Sequence, residues 1–229
     1  MATHRGPKII TDGLVLCLDA ADRKSYPGSG NIWYDRVRTK SNCTLSSGAS
    51  FNSDKGGCIA FDGNNSGCSN SSYSISMNNA ATINLWLKHT SAGAQPGIQR
   101  YFTIGAAERM VIRREYSNFM LYVNIGTIAV PNLQFLYVNL GNVLTSDEIF
   151  NLVSIWNGSS MIMYKNAVQI GSSNVTGTVT ENNMPYSISA PGWNEALNGR
   201  IYTVMFYNKA LSSSEVLQNY TAQRGRFGI

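Results

Sequence analysis

The sequence is poor in charged residues and in histidine, and both shortages limit the chemistry that it can carry. Asp, Glu, Lys and Arg make up 14% of the 229 residues, against about 25% in an average globular domain. Only His4 and His89 could serve a histidine-based zinc site or a Ser-His-Asp triad. His4 lies in a polar N-terminal segment, and we expect His89 to be an exposed residue at a strand end. The sequence therefore predicts no metal site and no hydrolytic triad.

Long apolar runs are also missing. None approaches the ~18 residues of a membrane helix, and the polar, basic segment Met1–Lys8 lacks the apolar centre of a signal peptide. The net charge of +5 is spread over several segments, whereas nucleic-acid-binding domains usually concentrate basic residues near stacking aromatics. We therefore expect neither membrane insertion nor a nucleic-acid partner.

Cysteine is scarce, with four residues and no C-x-x-C pair, which argues against a cysteine-based zinc site. Cys17 lies in an apolar run and is expected to be a buried thiol. Cys58 and Cys68 flank a turn at Asp62–Asn65, so they could face each other across a hairpin. Free thiols are the expectation because no sequence signal points to an oxidising compartment, and the pairing of Cys58 with Cys68 stays open.

Short strand-like runs alternate with turn residues along most of the chain. Within Ile83–Lys88, apolar residues alternate with Asn84, Trp86 and Lys88, as in a strand with one face in a core. Ile149–Trp156, a short turn and Met161–Lys165 predict a hairpin. Because helices between the strands are missing, the pattern predicts an all-β sandwich or barrel. Further strands are predicted at Gly13–Leu18, Cys58–Phe61, Tyr73–Met77, Tyr101–Ile104, Arg109–Arg113, Phe119–Ile125, Val168–Ile170 and Ile201–Tyr207.

One segment near the C-terminus has helical character. Ser212 and Glu215 form a capping box, and Leu211 and Val216 stand where a hydrophobic staple would place them. These signals predict a short helix within Leu211–Tyr220 that packs on the sheets. A similar box at 145–148 predicts a single helical turn before the central hairpin.

Several segments, in the same order, resemble landmarks of one family. They are Gly13–Ala20, Ser25–Gly30, Trp33–Asp35, Phe61–Gly63, Ile83–Leu87, Tyr164–Asn166, Gly199–Ile201 and Tyr207–Val216, with the closing Arg224–Ile229. Together they resemble the concanavalin A-like lectin/glucanase (laminin-G-like) group of the type found in phage and marine viral structural proteins. Two stretches depart from the pattern: Ala167 stands where the family usually has glycine, and Asn118–Phe150 matches no landmark.

The resemblance implies an all-β, two-sheet antiparallel jelly-roll sandwich with a short C-terminal helix. Its expected organisation is an N-terminal arm at residues 1–10 and one domain at residues 11–229. The glucanases of this fold place a Glu-x-Asp-x-Glu pattern on one strand, and that pattern is missing here. We therefore expect no enzyme activity and no cofactor. Some lectins of the group hold calcium through Asp and Asn loops, but for Asp62–Asn65 a plain turn is the expectation.

A carbohydrate site would need an exposed aromatic ring beside hydrogen-bonding side chains. Trp193 in a Pro-Gly-Trp-Asn loop is the main candidate, assisted by Asn194, Tyr186 and Tyr116. The alternative is that Trp193 packs beneath its own loop. Trp33 and Trp86 are expected in the core, and Trp156 is expected in the core or at its rim.

The resemblance leads to two functional hypotheses. The first is a non-enzymatic phage or viral surface protein, such as a capsid decoration, knob or fibre protein, that folds in the host cytoplasm and resides on the virion. Its partners would be capsid or other virion proteins, with homo-oligomerisation favoured by the symmetry of particles. The alternative is a lectin module that recognises host-cell or environmental glycans. A hydrolase would require an unrecognised pair of carboxylates.

Overall fold

The protein is described here by a computed structural model that covers residues 7–37, 41–46, 48–89, 97–105, 108–116, 118–126, 131–139, 147–175, 177–190 and 194–229, without the side chains of 72–74, 78 and 180–182. These residues form two eight-stranded sheets and a C-terminal helix. The predicted two-sheet antiparallel sandwich with a C-terminal helix is confirmed. None of the helices in the described part of the chain has the length and apolar character needed to cross a membrane.

Sheet A has the strand order β14-β13-β12-β7-β16-β5-β4, with β1 also paired to β16. Its strands are β1 (Leu14–Asp19), β4 (Ser50–Asn52), β5 (Cys58–Asp62), β7 (Ala81–His89), β12 (Ile149–Trp156), β13 (Ser160–Lys165), β14 (Val168–Asn174) and β16 (Asn198–Tyr207).

Sheet B has the strand order β11-β10-β9-β8-β15-β6-β3-β2. Its strands are β2 (Ile32–Trp33), β3 (Cys43–Leu45), β6 (Cys68–Asn78), β8 (Ile98–Ile104), β9 (Met110–Glu115), β10 (Asn118–Asn124), β11 (Leu133–Asn139) and β15 (Thr180–Ile188). All strand pairs assigned in the described residues, in both sheets, are antiparallel.

The core lies between the sheets and follows the period of two along the strands. Ile83, Leu85 and Leu87 of β7 point into it, while Trp86 points outward. Trp33 and Trp156 are fully buried in the core, as the sequence predicts. Stabilisation comes mainly from this apolar burial, at roughly 25 cal/mol per Å².

The helix α1 (Ser213–Phe227) lies on the outer face of sheet A. The predicted capping box is confirmed, since the Ser212 side chain accepts from the Glu215 N–H and the Glu215 side chain accepts from the Ser212 N–H. The helix runs past the predicted end at Tyr220 because Phe227 stacks on the outward-pointing Trp86, with ring centroids 4.2 Å apart.

Part of the expected N-terminal arm lies against this helix. The Ile10 N–H donates to Asn219 Oδ1 over 2.8 Å, and the Tyr207 hydroxyl donates to the Ile10 carbonyl over 3.0 Å. The Gln218 side chain donates to the Lys8 carbonyl. Residues 1–6 of the arm lie outside the described residues.

The expectation of free thiols is wrong for one pair of cysteines. Cys43 and Cys68 form a disulfide that joins β3 to β6, while Cys17 and Cys58 are free. The possible pairing of Cys58 with Cys68 fails because β5 enters sheet A and β6 enters sheet B. The turn between these strands therefore crosses from one sheet to the other and does not close a hairpin.

The expectation for His89 is also wrong. The side chain is buried, and its Nε2 atom bonds the Tyr101 hydroxyl inside the sandwich. Burial lowers the pKa of His89 from 6.5 to about 3. An alternating pattern places residues on one face or the other, but it does not show which strand ends are capped by neighbouring segments.

Two turns show how local chemistry shapes the fold. At Asp62 a plain turn is found, in which the carboxylate accepts from the Asn64 N–H and the Ser66 hydroxyl. At the β13–β14 turn, Asn166 and Ala167 have φ values of 51° and 64°. This is the left-handed region that glycine occupies without strain, so Ala167 adopts the usual hairpin geometry at an energetic cost.

The edge strands β11 and β14 lie side by side along one border of the sandwich. Gly171 of β14 allows this approach, because a Cβ atom there would lie 2.6 Å from Val138 Cγ2. Residues 145 and 146 of the predicted helical turn at 145–148 lie outside the described residues, and 147 and 148 are not helical.

Candidate functional site

The outer faces of the two sheets are covered differently. On sheet A, α1 and the segment around Ile10 pack on outward-pointing apolar side chains. The outer face of sheet B lies on the opposite side of the molecule, and we call it the open face. Its edge strand β11 exposes three large apolar side chains, Leu133, Phe135 and Tyr137. A partly exposed apolar stripe beside polar groups is typical of a binding surface.

Strand register aligns the open face in two cross-strand rows. One row crosses six strands and consists of Ser69, Ser187, Thr103, Val111, Tyr122 and Phe135. The next row consists of Arg100, Arg113, Met120 and Tyr137. Neighbouring strands lie about 4.8 Å apart. The longer row therefore extends about 24 Å across five strand spacings.

A charged cluster occupies the middle of the open face. Arg100 donates through Nε to Glu195 and through Nη1 to Glu108, and Tyr122 donates its hydroxyl to Glu108. Arg113 lies 3.2 Å from Glu115 and 3.8 Å from Glu195. The cluster is assembled from strands and loops alike, since Glu108 precedes β9 and Glu195 precedes β16.

Burial and pairing fix the protonation of this cluster. Burial alone would lower the pKa of Arg100, but the hydrogen bonds to Glu195 and Glu108 outweigh it, and the net shift is upward. Burial also raises the pKa of the Tyr122 hydroxyl, and the bond to Glu108 adds to that shift. Arg100 therefore stays a cation and Tyr122 a hydrogen-bond donor at neutral pH.

Aromatic rings continue the surface toward the sheet edge. The Arg113 guanidinium lies 5.6 Å from the centre of the Tyr122 ring, and Tyr122 and Phe135 have ring centroids 5.8 Å apart. Phe135 and Tyr137 stack at 5.9 Å with nearly parallel planes. Tyr137 is 55% exposed. These contacts hold the exposed rings in place beside the charged cluster.

A cavity of about 230 Å³ adjoins the cluster on the same sheet. Most of its polar lining consists of hydroxyl-bearing side chains. The lining residues are Ser69, Asn70, Ser71, Thr103, Gly105, Pro185, Tyr186 and Ser187. The cavity and the aromatic edge thus lie on either side of a buried stretch of sheet B, in which Val111, Met120 and Tyr122 pack together and are at most 2% exposed.

The residues predicted for a carbohydrate site differ in their location and exposure. Trp193 lies outside the described residues, so its role stays a prediction. Asn194 is exposed and has a φ of 57°, and Glu195, the next residue, joins the charged cluster. Tyr116 is exposed at the β9–β10 turn. Asn194 and Tyr116 thus border the open face.

Tyr186 requires a correction. It borders the cavity, but its ring is buried, stacks on Phe102 at 5.6 Å and donates its hydroxyl to the Ser41 carbonyl. The reason is the strand period: Ser187 faces outward, so the preceding residue faces the core. The Tyr186 ring is thus committed to the sandwich and unavailable for stacking on a ligand.

Sequence reasoning missed the residues at the centre of the open face. Arg113 and Tyr122 lie in predicted strands and Arg100 directly precedes one, but they were assigned no role, and Phe135 and Tyr137 lie in the stretch that matched no family landmark. Leu133–Asn139 does alternate between apolar and polar residues, and that alternation was a usable signal for a strand. Within the described residues, no group of three or more His, Cys, Asp or Glu side chains is arranged to hold a metal.

The sequence of residues 62–217 matches the family model for the concanavalin A-like lectin/glucanases superfamily. A search of curated protein sequences gives no match. Solved structures with the same fold include the binding domain of Paraclostridial Mosquitocidal Protein 1, with a TM-score of 0.71 and 15% identity over 91% of this chain and 52% of that one.

Two further structures were solved with sugars. The botulinum neurotoxin serotype D ligand binding domain, in complex with N-acetylneuraminic acid, has a TM-score of 0.72 and 12% identity over 93% of this chain and 52% of that one. Domain 4 of AbnA, a GH43 extracellular arabinanase from Geobacillus stearothermophilus, in complex with arabinotriose, has a TM-score of 0.68 and 16% identity over 90% and 98%. The chain spans about half the length of the two toxin domains. At these identities the likeness is one of fold.

Proposed function

The chain belongs to the concanavalin A-like lectin/glucanases superfamily, and on this premise we propose that it is a glycan-binding module whose open face is the binding surface. The observation that carries the proposal is the pairing of exposed rings with fixed polar groups. Phe135 and Tyr137 present ring surface at the sheet edge, and the charged cluster and the hydroxyl-lined cavity lie beside them.

Sugars have apolar C–H faces and a rim of hydroxyl groups. An aromatic ring offers a flat apolar surface for the former, and preoriented side chains provide hydrogen bonds for the latter. The open face supplies both within a few strand spacings. The lectin-like fold and the sugar complexes of two structural neighbours support the proposal. The sugars in those complexes are ligands of the neighbours and do not identify the ligand of this chain.

Binding fits the charged cluster better than hydrolysis does. Glu108 and Glu195 are the converging carboxylates that a glycosidase would need, but Arg100 is hydrogen-bonded to both. Glycoside hydrolysis requires one carboxyl that keeps a proton and can give it to the leaving oxygen. Here both carboxylates accept hydrogen bonds from the Arg100 guanidinium that lies between them, so their oxygens are engaged within the cluster.

The test is a glycan array probed with the wild-type protein and two variants. Tyr137→Ala removes an exposed ring from the open face. Tyr34→Ala is the matched control, because Tyr34 is 41% exposed and follows β2 at the opposite edge of sheet B. We expect binding to at least one glycan class, weakened at least tenfold in Tyr137→Ala, the effect of one strong contact residue, and unchanged in Tyr34→Ala.

Equal binding by all three proteins would place the site elsewhere, with the loop at Trp193 and Asn194 as the next place to test by Trp193→Ala. No binding to any glycan would remove the proposed function.

A particle-surface role, with capsid partners and a virion location, stays a proposal from the sequence resemblance. It is compatible with glycan binding, since a surface protein can attach a particle to host polysaccharide. Mass spectrometry of purified, washed particles would test it independently, and absence of the protein from them would count against it.

A further inference from the structure

The cavity around Thr103 carries an inference about ligand class, which rests on the proposed function of the open face. We propose that this cavity is a selective subsite for a neutral sugar ring and that the Thr103 hydroxyl is held for a ligand hydroxyl. The inference draws on three observations: the lining of the cavity, the state of the neighbouring arginines and the unmet hydrogen-bonding capacity of Thr103.

None of the described residues that line the cavity has a charged side chain. The hydroxyls of Ser69, Ser71, Thr103 and Ser187 each can donate and accept a hydrogen bond. Such groups match the hydroxyls of a sugar, which also do both. A carboxylate in the cavity would be desolvated without a cation in the lining, and burial of an unpaired charge is unfavourable.

The neighbouring arginines are already engaged. Arg100 is hydrogen-bonded to Glu108 and Glu195, and Arg113 is paired with Glu115. An anionic sugar would have to displace one of these glutamates and approach the others, so like-charge repulsion opposes it. Arg109, at the start of β9, donates to the Gly126 carbonyl. The cluster therefore presents arginines whose charge is locally balanced.

Thr103 is the polar residue that the fold leaves unsatisfied at this site. It is 9% exposed, and its Oγ1 atom has no hydrogen-bond partner among the residues that the structure describes. A buried hydroxyl without a partner costs folding free energy. The Oγ1 atom itself has almost no accessible surface, so a ligand hydroxyl in the cavity would satisfy it after a rotation of χ1 that exchanges the positions of Oγ1 and the methyl group.

The dimensions indicate an oligosaccharide that starts in this subsite. The cavity of about 230 Å³ is smaller than the ~300–1,000 Å³ of pockets for drug-sized ligands, which suits one sugar ring. Thr103 and Phe135 lie in the same row, three strand spacings apart, which is about 14 Å. Val111 and Tyr122, which lie between them in the row, are buried, so a short chain that starts in the cavity would have to pass over them to reach the aromatic edge.

The test compares two threonine-to-valine variants. Thr103→Val keeps the shape of the side chain and removes the hydroxyl. Thr203→Val is the matched control, because Thr203 Oγ1 is likewise buried without a partner in the described residues but lies on β16 of sheet A. Since each change removes an unsatisfied buried group, both variants should be at least as stable as the wild type in thermal unfolding.

The probes are trisaccharides in pairs that differ at C6, galactose against galacturonic acid and glucose against glucuronic acid, with arabinotriose as a further neutral probe. By calorimetry we expect the neutral member of a pair to bind at least tenfold more tightly. Thr103→Val should weaken that binding about tenfold, the effect of about one hydrogen bond, and Thr203→Val should leave it unchanged.

Three results would overturn the inference. They are tighter binding of the acidic member of a pair, equal binding by Thr103→Val and wild type, and no binding of any of these trisaccharides. In the first two cases a loss of binding in Tyr137→Ala would still support the open face as a glycan site, and in the third the array decides that question. The failure of the inference and the failure of the proposed function are thus separable.

Discussion

The outer faces of the two sheets are both formed by outward-pointing side chains of antiparallel strands, but different groups cover them. On sheet A, outward-pointing rings such as Trp86 and Tyr202 are covered by α1 and fully buried. On sheet B, outward-pointing charged groups are paired with one another, and the rings at the edge stay exposed. A helix covers the outer face of sheet A, and on sheet B we propose that the exposed edge and the cavity receive a ligand.

The comparison separates two uses of aromatic residues. Trp86 donates from Nε1 to Gln223 of α1 over 2.7 Å and stacks on Phe227, so its ring holds two elements together. Tyr137 stacks only on a neighbour in its own strand among the ring contacts of the described residues. Stability should therefore depend on the first face and ligand binding on the second.

The largest expected effect comes from Trp86→Ala compared with Tyr137→Ala. The first removes a buried ring beneath α1 and should lower the free energy of unfolding by about 3–5 kcal/mol. The second removes an exposed ring and should change it by no more than about 0.5 kcal/mol. Urea titration followed by fluorescence and circular dichroism measures both. Losses of similar size would mean that the two faces do not differ as described.

The second effect concerns the disulfide within sheet B, where the described residues place no helix on the outer face. Cys43 and Cys68 are separated by 25 residues, and a cross-link of that span contributes about 3 kcal/mol by restricting the unfolded chain. The double variant Cys43→Ala/Cys68→Ala should lose about that amount in urea titration. Reductant should destabilise the wild type similarly and leave the double variant unaffected. A reductant effect on the variant would point to another cause.

The third effect arises in the core that both sheets share. Burial lowers the pKa of His89 from 6.5 to about 3. Below pH 6.5 the unfolded chain binds a proton at His89 that the folded chain does not bind. The free energy of unfolding is therefore highest above that pH and falls as the pH drops toward 3. The expected slope is about 1.4 kcal/mol per pH unit.

This slope can be isolated from that of the carboxylates. Asp54 and Glu215, whose pKa values are lowered in the fold, respond only below their ordinary pKa values of 3.8 and 4.5. The window between about pH 4.5 and 6.5 therefore reports on His89. In His89→Gln, the free energy of unfolding should no longer depend on pH across that window. An unchanged slope in this variant would assign the effect to other groups.

The smallest effect is at the β13–β14 turn of sheet A. Ala167→Gly relieves a φ of 64° and should stabilise the protein by about 0.5–1 kcal/mol. Ala222→Gly in α1 is the opposite control, because glycine in a helix interior costs about 0.5–1 kcal/mol relative to alanine. Thermal unfolding of both variants measures these changes in stability. A lower stability of Ala167→Gly than of the wild type would contradict the backbone strain at this position.

The fold was largely predictable because its signals are local. Alternation in Ile83–Lys88, the box at Ser212 and Glu215, and the hairpin after Trp156 each depend on residues a few positions apart. The disulfide was not predictable in the same way. Its two cysteines lie on β3 and β6, which are neighbours in sheet B, whereas β5 with Cys58 belongs to sheet A. No local sequence pattern around Cys58 or Cys68 shows which sheet each strand joins.

The candidate site was harder to predict for a related reason. Arg100 and Glu195 are 95 residues apart, and their contact depends on a loop before β16 reaching over β8. The row from Thr103 to Phe135 requires the register of four strands, where a shift of one residue would reverse every side chain. The sequence did indicate the loop around Asn194, whose neighbour Glu195 enters the cluster, but the aromatic edge fell in the stretch without family landmarks.

Gly171 has a consequence for how copies of this protein meet. Because it lets β14 lie against β11, the two edge strands screen each other at that border, and an edge strand open to solvent is a template for pairing with another chain. A side chain at 171 would push the strands apart and uncover both templates at once. The smallest residue on this border thus keeps two edge strands from being exposed as templates for pairing with another chain.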